Sequence, residues 1–270
     1  MKIKGICLLA ALMAGAAGIS RGEKPMSLVL SSPDEIALSN DTATLTVYRP
    51  GNPNGMFILD CPGGGYNHLA INKEGHDMAG WMNARGITFG VLKYRMPKGD
   101  GVHLPLLDAE KAMAAVRDSA ASWHLDPDRI GVMGFSAGGH LAASLSNIGD
   151  PNLRPAFTIL FYPVISMEKG VAHSGTRRNL IGGHPSEEMV EKYSIDRQVT
   201  KRTPPAIMFL SSDDGVSPVN SLRYFDALRL KKIPVGLHVY PSGKHGWGFS
   251  DSFLYKPQWT AELEKWLGTL

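Results

Sequence analysis

The sequence has 270 residues, of which 43% are hydrophobic, and its formal net charge is +3 at pH 7. Basic and acidic residues are mixed along the chain and form no basic block, which argues against nucleic acid as a partner. The two cysteines, Cys7 and Cys61, are too few for a zinc cluster, so we expect core packing to stabilise the fold.

The chain begins with the pattern of an export signal. A short basic start, 1–4, precedes an apolar run, 6–17, and small residues then give way to polar ones at Ser20. This run is much shorter than the roughly 20 residues of a membrane-spanning helix. We therefore expect residues 1–20 to be a cleaved signal peptide, and the protein to be secreted or periplasmic without a stable membrane anchor.

Short apolar segments alternate with helical patterns over residues 27–270, which we expect to form a single domain. Most of the apolar segments are nearly continuous, which is typical of strands buried on both faces of a parallel sheet. The segment 42–48 alternates instead and predicts an edge strand. The predicted strands are 42–48, 56–61, 87–94, 130–135, 157–164, 206–210 and 235–240.

Helical patterns lie between these strands. In 106–123 apolar residues such as Ala109, Met113 and Val116 recur at spacings of three and four and form one stripe. The alternation predicts an α/β fold, with a mostly parallel sheet and helices on both of its faces. The other predicted helices are 75–84, 138–147, 220–231 and 258–267.

The polar segment 165–203 interrupts this alternation. It contains Gly182-Gly183 and a short helical pattern near 187–193. We interpret it as an insertion over the C-terminal edge of the sheet. The segment could cap a site there, or it could be a surface loop with no role in a site.

The segment Gly134-Phe135-Ser136-Ala137-Gly138 matches the pattern G-x-S-x-G. It lies between a predicted strand and a predicted helix, which is where a nucleophile elbow occurs. Glycines on both sides relieve the crowding of such a turn. Ser136 is therefore the candidate nucleophile, and an idle serine in a glycine-rich turn is the alternative.

A nucleophilic serine needs an adjacent base, and the base needs an orienting acid. In folds with this elbow, the acid and then the histidine follow the serine along the chain. Asp213-Asp214 follows strand 206–210 and His245 follows strand 235–240, so both lie at strand ends where open α/β sheets bind ligands. We favour Asp214 over Asp213 as the acid and assign His245 as the base.

Other titratable side chains are weaker candidates. His173 and His184 lie in the insertion and are the alternatives to His245. This pair and Glu74-x-His76 also resemble fragments of a metal site, but neither has a third ligand at a suitable spacing. We expect no metal and no cofactor.

A glycine-rich segment, 61–66 (CPGGGY), directly follows strand 56–61. Because glycine has no side chain, the backbone can approach a substrate closely there, and its N–H groups can stabilise an oxyanion. The segment resembles the HGGG-type loop of serine hydrolases, with Pro62 where histidine often stands. The candidate oxyanion donors are the N–H groups of Gly64, Gly65 and Ala137.

Longer motifs carry a family resemblance. In chain order they are CPGGGY, NKEGHDMAGWMNARGI, LKYRMPKG, DPDRIGVMGFSAGGHLA, SSDDGVSPVNS and YPSGKHGWGF. With them the chain resembles the α/β-hydrolase superfamily, and within it the bacterial secreted carbohydrate esterases such as acetylxylan esterases. The resemblance implies an esterase that removes acetyl groups from xylan or other plant-polysaccharide fragments, with Ser136, Asp214 and His245 as its triad.

Similar motifs also occur in short-chain esterases that do not act on carbohydrate and in the C-terminal domains of prolyl peptidases. These two activities remain alternatives, and a non-enzymatic binding module is a third. The resemblance implies a small-molecule or oligosaccharide ester as the substrate. Tyr66 and Trp247 flank the predicted site and are candidates to bind this substrate by stacking on a sugar ring.

Overall fold

The computed structural model describes residues 32–39 and 42–270, so the predicted signal peptide 1–20 lies outside the described residues. The described strands are β1 Asp34–Ala37, β2 Thr44–Tyr48, β3 Phe57–Cys61, β4 Thr88–Lys93, β5 Ile130–Phe135, β6 Thr158–Phe161, β7 Ala206–Ser211 and β8 Val235–Tyr240. They form a single sheet in the order β1-β2-β4-β3-β5-β6-β7-β8.

The sheet is mostly parallel, as predicted. Strand β2 pairs antiparallel with β1 and β4, and each later neighbouring pair, from β4–β3 to β7–β8, is parallel. The expectation that segment 42–48 forms an edge strand is wrong, because β1 pairs along its outer side. The sequence analysis did not identify β1, since this four-residue strand is mostly exposed and carries no apolar run.

The described helices are α1 Ala79–Asn83, α2 Leu104–Ser119, α3 Ser136–Asn147, α4 Ser174–Ile181, α5 Glu187–Tyr193, α6 Val219–Leu230 and α7 Lys256–Leu267. The predicted helix 75–84 is in fact a 3₁₀ turn, His76–Met78, followed by the short α1. The segment 165–203 contains α5, as predicted, and also α4, which its polar sequence did not indicate.

The core lies in two layers, one on each face of the sheet. Helices α2, α3 and α6 contribute to the larger layer, and α1 and α7 contribute to the other. On the α7 side, Phe135, Phe161 and Phe209 come from three adjacent parallel strands and stack with ring centroids 4.5 and 5.2 Å apart. Burial of aromatic and aliphatic side chains on both faces fixes β5, β6 and β7 in register.

An acidic side chain lies within this core. Asp60 of β3 is fully buried, and neither carboxyl oxygen has a hydrogen-bond partner among the described residues. Burial, reinforced by the nearby Glu74, raises the pKa of Asp60 well above its ordinary value of 3.8. A charged carboxylate without partners is strongly unfavourable in such a place, so the acid is neutral in the folded protein.

We predict that Asp60→Asn is more stable than the wild-type protein at pH 7. In the unfolded wild-type chain the Asp60 carboxyl loses its proton above about pH 4, whereas in the folded protein it keeps the proton. The free energy of unfolding of the wild-type protein therefore falls by about 1.4 kcal/mol per pH unit, up to the pKa of Asp60 in the folded state. The amide does not titrate and avoids this loss. Urea denaturation of both proteins between pH 4 and 8 measures the difference, and a difference that does not change with pH would contradict the prediction.

Candidate active site

Ser136 lies at the junction of β5 and α3 with a left-handed backbone, φ 52°. The two flanking glycines make this turn possible. A Cβ at Gly134 would lie 2.2 Å from the Gly138 carbonyl oxygen, and one at Gly138 would lie 1.9 Å from the Cys61 carbonyl oxygen. Only glycine fits at either position, and the turn has the geometry of a nucleophile elbow.

His245 lies in the loop after β8 and reaches Ser136 from 109 positions away in the chain. Its Nε2 is 2.7 Å from Ser136 Oγ, and its Nδ1 is 2.9 Å from both carboxylate oxygens of Asp214. A carboxylate can only accept, so Nδ1 carries the ring proton and Nε2 is left to accept the serine proton. The structure thus brings the three predicted residues together as a hydrogen-bonded relay.

The two neighbouring aspartates have different partners. The Asp214 side chain is 1% exposed and also accepts from the Val216 N–H at 2.7 Å. Asp213 instead accepts from the backbone N–H of Lys244 at 2.8 Å. This geometry favours Asp214 as the orienting acid and gives Asp213 a role in holding the backbone of the histidine loop.

The alternative histidines have other positions. His173 caps α4, where its Nδ1 accepts from the Thr176 N–H at 3.2 Å, and its ring lines the same cavity as Ser136. Burial and the nearby His245 lower the pKa of His173, so it is a neutral side chain whose Nε2 keeps its proton. His184 lines a separate cavity beside α5 and is not near the relay.

The glycine loop after β3 lies against the elbow. Gly64 and Gly65 both have positive φ, 131° and 66°, and no acceptor among the described residues binds their N–H groups. A Cβ on Gly64 would lie 2.1 Å from the His68 carbonyl oxygen, so glycine is required there. The Ala137 N–H lies in the first turn of α3, where N–H groups have no intrahelical acceptor. These three groups are available to an oxyanion.

Glu74 is a buried residue that connects the two loops of the site. Its Oε2 accepts from the Gly63 N–H at 2.9 Å, and its Oε1 accepts from the Tyr162 hydroxyl at 2.8 Å. The Tyr162 oxygen in turn accepts from the Gly248 N–H at 2.8 Å, in the loop that carries His245. Burial raises the pKa of Glu74, and the bonds from Tyr162 and Gly63 act in the opposite direction.

This role of Glu74 was not foreseen from the sequence, where Glu74-x-His76 resembles only a fragment of a metal site. His76 Nδ1 is instead 2.9 Å from the Tyr48 hydroxyl, away from Glu74's partners. Among residues 32–39 and 42–270, no group of three or more His, Cys, Asp or Glu side chains is placed to hold a metal ion. A glutamate among polar neighbours in the sequence carries no signal that it will be buried.

Neither predicted stacking residue is exposed. Tyr66 is 1% exposed, and its hydroxyl lies 3.0 Å from His140 Nδ1. Trp247 is 6% exposed, and its ring stacks on Phe253 with centroids 4.1 Å apart. The structure therefore gives no support to sugar stacking on either ring, because both are packed in the core.

A cavity of about 510 Å³ opens above Ser136 and His245. Helix α4 and its N-cap form one of its walls, through His173, Arg178 and Asn179. The Asn179 amide donates to the Gly65 carbonyl oxygen at 2.8 Å and so ties this wall to the glycine loop. The volume is in the range of small-molecule sites and leaves room for a substrate beside the serine.

The profile of the prolyl oligopeptidase family matches residues 107–270, which is more than half of the chain. The chain belongs to this family of α/β-hydrolases. The matched residues of this chain include Ser136, Asp214 and His245. A second profile, BD-FAE, matches residues 45–153, which include the glycine loop and Ser136.

Among curated proteins, this α/β-hydrolase is similar to an acetylxylan esterase of Xylanibacter ruminicola, with 40% identity over 239 residues. The match covers 86% of this chain and 50% of that protein. Endo-1,4-beta-xylanase B of Butyrivibrio fibrisolvens is 35% identical over 204 residues, which are 70% of this chain and 32% of that protein. The chain thus spans about half the length of the first relative and about a third of the second.

A solved structure, the acetyl ester-xyloside bifunctional hydrolase from Caldicellulosiruptor lactoaceticus, superposes with a TM-score of 0.81 at 34% identity. The match covers 90% of this chain and 98% of that chain. The α/β-hydrolase fold predicted from the sequence is therefore confirmed. The resemblance to carbohydrate esterases is confirmed as well, because both this structure and the curated relative are named for acetyl-ester hydrolysis.

We predict that Glu74→Gln slows covalent labelling of Ser136 by a fluorophosphonate by about 10- to 100-fold. The amide replaces one carboxylate oxygen with a donor and so loses the bond from Gly63 or from Tyr162, and bonds to a charged group are worth about 1.5–3 kcal/mol. The labelling rate measures the effect without assuming a natural substrate.

The matched control is Glu264→Gln, which changes an exposed glutamate paired with Arg85. It should label at the wild-type rate. Urea denaturation of both variants shows whether the protein is still folded. A folded Glu74→Gln protein that labels at the wild-type rate would mean that the network does not position the loops.

Proposed function

We propose that this chain is a serine carboxylesterase that removes acetyl groups from xylan or other plant-polysaccharide fragments through an acyl-enzyme. The observation that carries the proposal is the unbroken relay from Ser136 Oγ through His245 to the buried Asp214, with contacts of 2.7 and 2.9 Å. The relay opens onto a cavity beside the N–H groups of Gly64 and Gly65, for which no acceptor lies among the described residues. That combination is what acyl transfer to a serine requires.

In the first half of the reaction, His245 Nε2 accepts the proton of Ser136 as Oγ attacks the acetyl carbonyl carbon. The N–H groups of Gly64, Gly65 and Ala137 bind the oxygen on which negative charge develops. Asp214 holds the imidazole in the required tautomer and stabilises it while it is positively charged. His245 then gives the proton to the departing sugar hydroxyl oxygen, and an acetyl-Ser136 ester remains.

In the second half, water replaces the sugar in the cavity. His245 takes a proton from the water as its oxygen attacks the acetyl-enzyme carbonyl, and the same N–H groups bind the second oxyanion. Collapse of this intermediate breaks the bond to Ser136 Oγ, which recovers the proton from His245. Acetate leaves and the enzyme is regenerated.

The proposed substrate class is supported by the similarity to an acetylxylan esterase and to an acetyl ester-xyloside hydrolase. The catalytic domain would be residues 27–270, with 165–203 as a cap. In support of this, α4 of that segment lines the cavity and donates through Asn179 to the glycine loop. Hydrolysis of short-chain esters unrelated to carbohydrate would use the same relay.

A prolyl-type serine peptidase is the second candidate function, because the family profile that matches residues 107–270 is that of the prolyl oligopeptidases. Both reactions need the same nucleophile, base and oxyanion donors, so only the substrate separates them. A panel of acetylated xylan, acetylated simple sugars, feruloyl esters, longer acyl esters and proline-containing peptides decides between them. Cleavage of the peptides without release of acetate would favour the peptidase.

We further propose that the protein is exported through the signal peptide 1–20 to the periplasm or the medium. No helix in the described part of the chain is both long enough and apolar enough to cross a bilayer. N-terminal sequencing of protein recovered outside the cytoplasm tests this proposal, since it predicts a start near residue 21.

We predict that Ser136→Ala lowers kcat for acetyl-ester hydrolysis by about 10⁶-fold, as expected when the nucleophile of a Ser–His–Asp relay is removed. Release of acetate from acetylated xylan and of p-nitrophenol from p-nitrophenyl acetate measures the loss. Ser212→Ala is the control, because Ser212 is an exposed serine whose hydroxyl donates to the Pro241 carbonyl oxygen. Full activity of Ser136→Ala would disprove the mechanism.

We also predict that the substitutions Asp214→Asn and Asp213→Asn lower kcat to very different extents. Asp214→Asn should lower kcat by about 10⁴-fold, because an amide stabilises the wrong imidazole tautomer. Asp213→Asn keeps a side-chain oxygen that can accept from the Lys244 N–H, so its kcat should fall by less than about tenfold. Similar losses in the two variants would refute the assignment of Asp214 as the orienting acid.

A further inference from the structure

A second, smaller cavity of about 220 Å³ adjoins the one that contains Ser136. The two share three lining residues, Asn67, Arg178 and Asn179. Residues 96–99, in the loop after β4, form the far wall of the second cavity. A molecule with its reacting group at Ser136 can therefore extend past Arg178 into this space, which has about the size of one sugar residue.

The second cavity is lined by two cations and no acid. Arg178 and Lys98 are the charged residues among its lining, and both are exposed. Within residues 32–39 and 42–270, neither side chain makes a hydrogen bond or an ion pair. By contrast, the neighbouring Arg177 donates to the Met167 carbonyl oxygen, and Arg197 pairs with Glu168. The two cations thus present positive charge to whatever occupies the cavity.

The backbone around this cavity is held in place. The Gly101 N–H donates to the Leu180 carbonyl oxygen at 3.0 Å, and the Tyr193 hydroxyl donates to the Gly101 carbonyl oxygen at 2.6 Å. The Gly182 N–H donates to the Arg178 carbonyl oxygen at 2.9 Å. The first and third of these bonds satisfy the Leu180 and Arg178 carbonyl groups in the last turn of α4, so these two oxygens are not left free near the place where an anion would bind.

The backbone that bears Arg178 is also tied to the reacting centre. Asn179, the next residue of α4, donates to the Gly65 carbonyl oxygen in the glycine loop at 2.8 Å. The helical turn that bears the guanidinium is thereby tied to the proposed oxyanion donors. A substrate held by Arg178 has a defined placement of its ester, which is what a subsite requires.

We propose that the second cavity is a subsite for a sugar residue bearing a carboxylate, next to the acetylated residue at Ser136. This inference rests on the proposed esterase function and narrows its substrate class to acetylated acidic oligosaccharides. Arg178 pairs with the carboxylate in a bidentate manner, and Lys98 adds a point charge. Asn67 and Asn179 border the passage between the two cavities and offer polar groups to the sugar hydroxyls.

The test compares kcat/KM for acetylated xylo-oligosaccharides that carry a uronate side group with kcat/KM for neutral ones. The wild-type enzyme should prefer the acidic substrates by about 10- to 100-fold, in line with charge-assisted hydrogen bonds. The preference should shrink as salt concentration rises. Arg178→Gln should abolish it, Lys98→Gln should reduce it, and Arg178→Lys should restore part of it.

Two controls separate this subsite from the catalytic centre. For Arg178→Gln the readout is the ratio of kcat/KM for acidic over neutral acetylated oligosaccharides, because a general loss of activity would lower both values and leave the ratio unchanged. Arg202→Gln removes an exposed arginine that lines neither cavity, and it should keep the preference for acidic substrates. Equal use of acidic and neutral substrates by the wild-type enzyme would overturn the proposal.

Binding to Ser136→Ala distinguishes failure of the subsite from failure of the esterase function. Calorimetry with a deacetylated uronate-bearing xylo-oligosaccharide should show binding that Arg178→Gln weakens at least tenfold. If no acetyl ester is hydrolysed but this binding is seen, the esterase function fails and the subsite stands. Loss of the carboxylate dependence, or equally tight binding of inorganic phosphate, would overturn the subsite as one for an acidic sugar.

Discussion

The left-handed backbone at Ser136 is the constraint on which the rest of the site depends. A non-glycine residue in this conformation is strained by about 1–3 kcal/mol, and the buried strand and helix on either side must outweigh that strain. The turn exists only because its two flanking glycines lack a Cβ, and one of them packs on the Cys61 carbonyl at the start of the glycine loop. The side chain that faces His245 is therefore aimed by the backbone itself.

The parallel strands place the other parts of the site beside Ser136, because they end at the same edge of the sheet. The carboxyl ends of β3, β5, β7 and β8 meet at one edge of the sheet and bring the glycine loop, Ser136, Asp214 and His245 within hydrogen-bond reach. Glu74 adds a cross-link between the outer two of these loops through Tyr162. The geometry of the relay is thus held by buried polar groups as well as by the elbow.

Much of this arrangement was predictable from the sequence because its signals are local. Strands buried on both faces have continuous apolar runs, and the elbow and glycine loop need small residues at set positions. The sequence favours Asp214 over Asp213 but leaves Asp213 as an alternative, since the choice depends on which way each side chain points in a tight turn. Helix α4 and Glu74 were missed because polar residues become part of a cavity wall or of the core only through contacts with residues distant in the chain. The burial of the Tyr66 and Trp247 rings was not foreseen either, because core and surface aromatics look alike in a sequence.

The Asn179–Gly65 hydrogen bond couples the segment 165–203 to the glycine loop. A relative that exchanges its 165–203 segment for another must also supply a new donor to that carbonyl, or its loop relaxes. A change in the helix that lines the cavity above Ser136 is then expected to alter turnover as well as affinity, because the same bond holds the glycine loop.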